Sequence, residues 1–248
     1  MNSNRVNVIG VPISAVNMNI AVENIFENPG ATKGKYICVT NTHTAVLAHD
    51  DPEYYRVQAE SFMSVPDGKP LSVIGRKQYP EMGRVTGPDL MRRIFKESED
   101  RDIRHFFYGD RQETLYALKD VLLQDYPRLN ICGMEPSVFR DMTEAEEQEL
   151  TDRINATEPD FVWVALGAPR QEYFCYRMKG RIQGLMIGVG GAFNVLAGVV
   201  PEAPLWMQNM SLEWFYRFLK EPRRLFKRYA VTIPKFLWYQ ITGKEVKK

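Results

Sequence analysis

The feature that most constrains the fold is an alternation of short apolar runs with longer amphipathic stretches. Apolar runs predict strands at residues 36–40, 62–65, 103–108, 129–132, 161–166 and 185–189, after a strand-like stretch at 6–11. Helical periodicity predicts helices at 44–58, 112–124 and 143–155, the last opening with Thr143 and Glu146 at capping-box spacing. The predicted fold is therefore α/β, with a Rossmann-like, mainly parallel sheet flanked by helices.

Polar or glycine-rich turns follow five of the predicted strands. They lie at residues 41–43, 66–68, 109–110, 167–172 and 190–194. Ligands of open parallel sheets bind beyond the carboxyl ends of the strands, where loop amides and helix N-termini offer hydrogen-bond donors. We therefore expect these turns to outline one cleft.

The first two turns contain candidate catalytic residues. Asp67 follows a strand and precedes Gly68, a position that suits a general base taking a proton from an attacking hydroxyl. Pro-Asp-Gly is equally typical of a simple turn. Thr40 and Asn41 can hold substrate hydroxyls or a phosphate oxygen, although Asn41 also suits the N-cap of the following helix.

Later turns contain candidate ligands for a nucleotide and its phosphates. Gln171 suits a base or ribose and Arg170 a phosphate, but both also fit the first turn of a helix begun by Pro169. Gly190 belongs to a glycine-rich turn whose amides can approach a diphosphate, without the Lys-Ser/Thr ending of a P-loop. Arg84 suits a leaving diphosphate or a surface ion pair.

The cysteines and histidines indicate neither disulfides nor a metal site. Cys38, Cys132 and Cys175 are odd in number, lie in apolar stretches and lack zinc-ligand spacing, so we expect core thiols in a reducing compartment. The three histidines form no metal motif. No signal peptide or run of about 18 apolar residues is found, which predicts the cytoplasm or its membrane face.

The C-terminal segment differs from the rest of the chain in charge. Residues 211–248 contain ten Lys and Arg against three Asp and Glu, together with nine aromatic residues, whereas the whole chain has a net charge of only +1. Helical periodicity across 212–229 separates aromatic from basic residues, and Pro222 is expected to kink or split the helix. We therefore divide the chain into a core, 1–210, and a basic amphipathic helical tail, 211–248, that associates with an anionic membrane. The alternative is a tail helix packed on the core with a solvated basic face.

Taken together, these motifs resemble the WecG/TagA/CpsF glycosyltransferase family along nearly the whole chain. The resemblance is carried by Pro-Asp-Gly-Lys-Pro at 66–70, Gly-Ala-Pro-Arg-Gln-Glu at 167–172, and the segments 41–43, 50–53, 84–90, 188–193, 212–217 and 221–225. It implies an inverting transferase that moves a sugar such as N-acetylmannosamine from UDP to a polyprenyl-diphosphate-linked acceptor, in teichoic acid or other surface polysaccharide synthesis. It implies no metal, no nucleic acid, and possible self-association.

The resemblance also implies roles for individual residues. Asp67 is the base, Asn41 and Gln171 belong to the substrate pocket, and Arg84, Arg217, Arg223 and Arg224 meet phosphate near the membrane. Three positions depart from the family pattern: Val39 stands where a threonine is usual, so that Thr40 is a shifted candidate, Asn194 stands where many members have Asp, and Glu202 replaces a basic residue. These departures bear on the identity of the sugar.

Two other functions fit parts of the sequence. A nucleotide-dependent Rossmann oxidoreductase shares the predicted sheet, but a Gly-x-Gly-x-x-Gly turn is missing after the first strand. A non-catalytic membrane adaptor would use the basic tail alone and would leave the polar strand ends unexplained.

Overall fold

A parallel sheet forms the centre of the protein. The structure is a computed structural model and describes residues 4–27, 29–204, 206–207, 210, 212–243 and 246. An N-terminal hairpin, β1 (Arg5–Val8) and β2 (Val11–Ser14), precedes the sheet strands β3 (Tyr36–Thr40), β4 (Met63–Pro66), β5 (Arg104–Gly109), β6 (Asn130–Glu135), β7 (Phe161–Ala165) and β8 (Leu185–Gly188). The six sheet strands are ordered β4-β3-β8-β7-β5-β6, and every pair is parallel. The predicted Rossmann-like α/β fold is confirmed.

Helices cover both faces of this sheet. In chain order they are α1 (Met18–Phe26), α2 (Pro29–Thr32), α3 (Thr42–Asp50), α4 (Pro52–Ala59), α5 (Lys69–Gly75), α6 (Gly87–Ser98), α7 (Gln112–Asp125), α8 (Glu144–Ala156), α9 (Arg170–Met178), α10 (Ala192–Leu196), α11 (Glu213–Lys220) and α12 (Pro222–Thr242). The capping box predicted at Thr143 and Glu146 opens α8.

Strands β3, β4, β7 and β8 are buried along their whole length, as expected when helices cover both faces of a sheet. Successive side chains point to opposite faces, so Cys38 and Val162 join one hydrophobic cluster while Ile37 and Trp163 join the other. The sheet thereby lies between two hydrophobic clusters.

Two predicted elements are wrong in detail, and backbone restrictions explain both. The stretch 6–11 is not one strand: it turns at Ile9 and Gly10, whose positive φ values of 49° and 84° make the tight turn of the hairpin. The helix predicted over 44–58 is two helices, because Asp51 precedes Pro52 and is held in an extended conformation.

The tail forms two helices that meet at Pro222, as predicted. Helix α12 packs on α3, and its Phe236 and Tyr239 belong to the same hydrophobic cluster as the hairpin. The tail therefore contributes to the core, and the division into 1–210 and 211–248 stays a prediction.

Cys38 and Cys175 are buried free thiols, and Cys132 is a partly buried one. Across the described ranges, none of the helices is both long enough and apolar enough to cross a bilayer.

Candidate active site

Asp67 lies at the carboxyl end of β4, where its backbone N–H donates to the carbonyl of Thr40 on β3 at 2.8 Å. Its side chain is partly exposed, and no hydrogen bond to its carboxylate is recorded within the described part of the chain. Burial raises the pKa of Asp67 to about 6, although Arg84 and Arg217 oppose this rise. A carboxylate with this pKa is ionised at neutral pH and is basic enough to accept a proton.

Arg84 connects Asp67 to the tail. Its Nε donates to the backbone carbonyl of Asp67 at 2.7 Å, while its two terminal nitrogens bind both carboxylate oxygens of Glu213 on α11. Arg217 lies one helical turn beyond Glu213 on α11. The tail thus brings charges of both signs to Asp67: Glu213 raises its pKa and Arg217 lowers it.

Glu213 is a site residue that the sequence analysis missed. Its partner Arg84 is 129 residues away in the chain, so no local pattern links the two. One sequence signal could have indicated Glu213: it lies four residues before Arg217, which the resemblance assigns to the phosphate site. Such spacing places both side chains on one face of a helix.

Thr40 and Asn41 have structural partners in this conformation. Thr40 is fully buried, and its hydroxyl bonds to Oε1 of Gln58 at 2.8 Å and to the hydroxyl of Ser64 at 2.7 Å. Asn41 is the N-cap of α3, with Oδ1 accepting from the amides of His43 and Thr44. The cap interpretation of Asn41 is thereby confirmed, and a substrate role for Thr40 stays a prediction.

Gln171 joins two of the predicted turns. It is 3% exposed; its Oε1 accepts from the backbone N–H of Gly190 at 2.8 Å, and its Nε2 donates to Oε1 of Glu172 at 2.8 Å. Gly190 has a φ of +56°, which favours glycine. The turn after β7 and the turn after β8 therefore meet through one side-chain amide.

The remaining predicted ligands are spread over a wider area. Asn194 on α10 donates to Oδ2 of Asp110, which follows β5. Arg170 donates to the backbone carbonyl of Arg140 at 3.1 Å and lines a cavity of about 140 Å³ that no other predicted site residue lines. The side chains of Arg170 and Gln171, although adjacent in the chain, thus have separate partners.

In the tail, Arg223 is exposed at the start of α12, whereas the side chain of Arg224 lies outside the described residues.

Of the positions that depart from the family pattern, Val39 is a core residue of β3, and Glu202 forms an ion pair with Arg92 at 2.6 Å. The described residues contain no group of three or more His, Cys, Asp or Glu that could hold a metal.

Comparison with known proteins shows the family of this chain. Residues 6–247 match the profile described as "Glycosyl transferase WecG/TagA/CpsF family". The chain belongs to the WecG/TagA/CpsF glycosyltransferase family. This membership covers both the sheet and the tail helices, so α11 and α12 are part of the family's shared structure.

Named relatives of this glycosyltransferase come from two Bacillus species. One from Bacillus spizizenii strain W23 is 30% identical over 207 residues, covering 83% of this chain and 78% of the relative. One from Bacillus subtilis strain 168 is 31% identical over 205 residues, covering 82% and 77%. Both are named N-acetylglucosaminyldiphosphoundecaprenol N-acetyl-beta-D-mannosaminyltransferase. The chain is therefore an enzyme of sugar transfer, and the oxidoreductase and adaptor alternatives lose their support.

Proposed function

We propose that this glycosyltransferase moves N-acetylmannosamine or a related hexose from a UDP carrier to a sugar on a polyprenyl diphosphate, with inversion, in cell-surface polysaccharide or teichoic acid synthesis. The observation that carries the proposal is Asp67: a carboxylate at a strand end, partly exposed, with a pKa of about 6, beside two arginines. The names of the Bacillus relatives support the choice of sugar and acceptor.

The proposed reaction is a single displacement. The acceptor hydroxyl gives its proton to the carboxylate of Asp67 as its oxygen bonds to the anomeric carbon of the donor. The bond from that carbon to the diphosphate oxygen breaks, and its electron pair leaves with UDP. Attack from the side opposite the leaving group inverts the anomeric centre.

Charge develops on the leaving diphosphate, and arginines are suited to stabilise it. Arg84 suits this role. Glu213 binds its guanidinium group through two carboxylate oxygens, and two oxygens of a phosphate bind a guanidinium group in the same geometry. Arg217 lies near enough to Asp67 to lower its pKa. In this mechanism the arginines, rather than a metal ion, neutralise the departing charge.

We further propose that the enzyme works at the inner face of the cell membrane, held there by its tail. Helices α11 and α12 expose large apolar side chains that a water-soluble surface does not need: Trp214, Phe215, Leu219, Phe226, Leu237, Trp238 and Ile241, each at least 41% exposed. Arg223 and Lys227 are exposed on α12, and cations beside aromatic side chains suit anionic headgroups. A lipid-linked acceptor would reach the cleft from this surface.

The substitution Asp67→Asn tests the proposed base. Because the amide cannot take up the proton, we expect kcat to fall by about 10²-fold or more. The measurement is UDP release from UDP-N-acetylmannosamine with a synthetic polyprenyl-diphosphate sugar, in EDTA.

Asp120→Asn is the matched control, because Asp120 is an exposed carboxylate on α7, away from the strand end that carries Asp67. Its activity should equal that of the wild-type enzyme. Near-normal transfer by Asp67→Asn would remove Asp67 as the base.

A further inference from the structure

Glu172 on α9 is a buried carboxyl group, and no cation among the described residues pairs with it. It is 1% exposed, and its Oε1 accepts from Nε2 of Gln171 at 2.8 Å. Its second oxygen, Oε2, has no hydrogen-bond partner in the described part of the chain. A buried polar atom without a partner is costly, so its retention requires an explanation.

Burial of Glu172 favours its neutral form, whereas its hydrogen bonds with Gln171 and Tyr54 favour the ionised form. The ionisable groups that face it are a phenol and two thiols: Tyr54 from α4, Cys38 from β3 and Cys175 from its own helix. Burial raises the pKa of each of these groups, so all three are neutral at physiological pH. Burial also raises the pKa of Glu172 to about 7.

The contacts of Gln171 show what Glu172 does for the cleft. The backbone N–H of Gly190 can only donate, so it fixes the amide oxygen of Gln171 towards the turn after β8. The amide nitrogen then needs an acceptor in the core, which Glu172 supplies. Gln171 also lies directly against Gly188, where an added Cβ would come within 3.2 Å of it.

We propose that Glu172 is a positioning residue of the donor site: its carboxyl group holds Gln171, and through it the Gly190 turn, in the shape that receives the donor's diphosphate. The inference rests on the proposed function, which requires a UDP-sugar site, and on the sequence-based prediction that the amides of the Gly190 turn approach its diphosphate. An uncharged carboxyl group holds the amide without placing a negative charge near the phosphates. Ionised Glu172 would repel them across a medium of low dielectric constant.

The test is the affinity for UDP-N-acetylmannosamine, measured by calorimetry on the full-length enzyme between pH 7 and pH 8.5, above the pH at which Asp67 titrates. Both phosphates of this ligand are esterified, so its own charge stays constant over this range. For the wild-type enzyme we expect Kd to rise several-fold above pH 7, as Glu172 ionises. For Glu172→Gln, which keeps the acceptor and cannot ionise, we expect tight binding across the whole range.

Two further variants separate positioning from a general role in folding. Glu172→Leu removes the acceptor and should bind weakly at every pH. Glu147→Gln is the matched control: Glu147 is also a buried glutamate, but it pairs with Arg177 at 2.7 Å, and its variant should keep the wild-type pH dependence. If Glu172→Leu does not fold, comparing the pH dependence of binding in Glu172→Gln and Glu147→Gln still tests the role of Glu172.

The outcomes distinguish the inference from the proposed function. Wild-type binding whose pH dependence persists in Glu172→Gln would overturn the role of Glu172 and leave the proposed function intact. Failure of the folded wild-type enzyme to bind any UDP-sugar would overturn the proposed function, and this inference with it.

Discussion

The side chain of Asp67 lies between charges of opposite sign, and these charges set the pH at which it can act as a base. Arg84 and Arg217 lower its pKa, while Glu213 and Asp89 raise it. Their effects are smaller than that of burial, which moves the pKa from 3.8 to about 6. The free enzyme should therefore lose activity as the pH falls through 6, because the protonated acid cannot accept the acceptor's proton.

Substitutions of Arg217 and Glu213 should shift the acidic limb of the pH–activity profile, where activity is lost at low pH, in opposite directions. Arg217→Gln removes a cation, so the limb of kcat/KM should move to higher pH by about 0.5 to 1 unit. Glu213→Gln removes an anion and should move the limb to lower pH by a similar amount. The measurement is the pH profile of UDP release, whose midpoint is independent of any loss in maximum rate.

A limb that moves the same way in both variants would contradict this electrostatic account. Lys119→Gln is a suitable control, because Lys119 is an exposed cation on α7 with no recorded contact to Asp67. Its midpoint should match that of the wild-type enzyme.

Local sequence could predict the residues that follow strands, but not their partners. Asp67 and Gln171 were predicted to share a cleft because the carboxyl ends of parallel strands lie at one edge of a sheet. Glu213 and the burial of Thr40 were not predicted, since both depend on contacts between residues distant in the chain. Predicting such contacts requires the packing of α4 and α11, which no short motif specifies.

At the scale of elements, α12 combines two different surfaces. Leu225, Phe236 and Tyr239 are buried against other parts of the protein, whereas Leu237 and Trp238 are 54% and 61% exposed. The sequence predicted an amphipathic tail that splits at Pro222, and that much is confirmed. Each of the two alternatives for the tail fits one face of α12. The buried face packs on the core, and the exposed face keeps apolar side chains that suit a membrane surface.

The double substitution Leu237→Ser with Trp238→Ser tests the exposed face of α12. Burial of a large apolar side chain contributes about 1.5–3 kcal/mol, so binding to phosphatidylglycerol vesicles should weaken by at least about tenfold. The measurement is cosedimentation with the vesicles. Residual binding should fall as salt rises, because the exposed cations contribute through charge.

The matched control for this test is Tyr116→Ser with Leu123→Ser on α7, where the side chains are 63% and 44% exposed. This pair should bind vesicles as the wild-type enzyme does. Equal weakening in both double variants would show that general apolar exposure, rather than the tail, attaches the enzyme to the vesicles.

At the scale of the whole molecule, the tail and the sheet share one hydrophobic cluster, so we expect them to unfold together. Phe236→Ala should lower the free energy of unfolding by about 3 kcal/mol, because it leaves a cavity between α12 and the core. Leu237→Ala, next to it in sequence but exposed, should change it by less than about 0.5 kcal/mol. Urea unfolding followed by tryptophan fluorescence and circular dichroism measures both.

A single transition shared by both signals is the expected behaviour for every variant. An early transition confined to the tail, with no loss of stability in the sheet when Phe236 is truncated, would instead support the predicted division into 1–210 and 211–248.

Helix α3 is fastened at both of its ends. Asn41 caps its beginning beside the cleft, where His43 also lies 3.1 Å from the hydroxyl of Thr232 on α12. At its far end Asp50 accepts from Lys235 at 2.6 Å, and the His49 ring stacks on Tyr239 at 3.8 Å. Because of these contacts, α3 is expected to move together with α12. Any shift of α12 must either move the start of α3, and with it the turn of Asn41, or break these three contacts with α12. The proposed binding of α12 to lipid is therefore expected to change the shape of this turn.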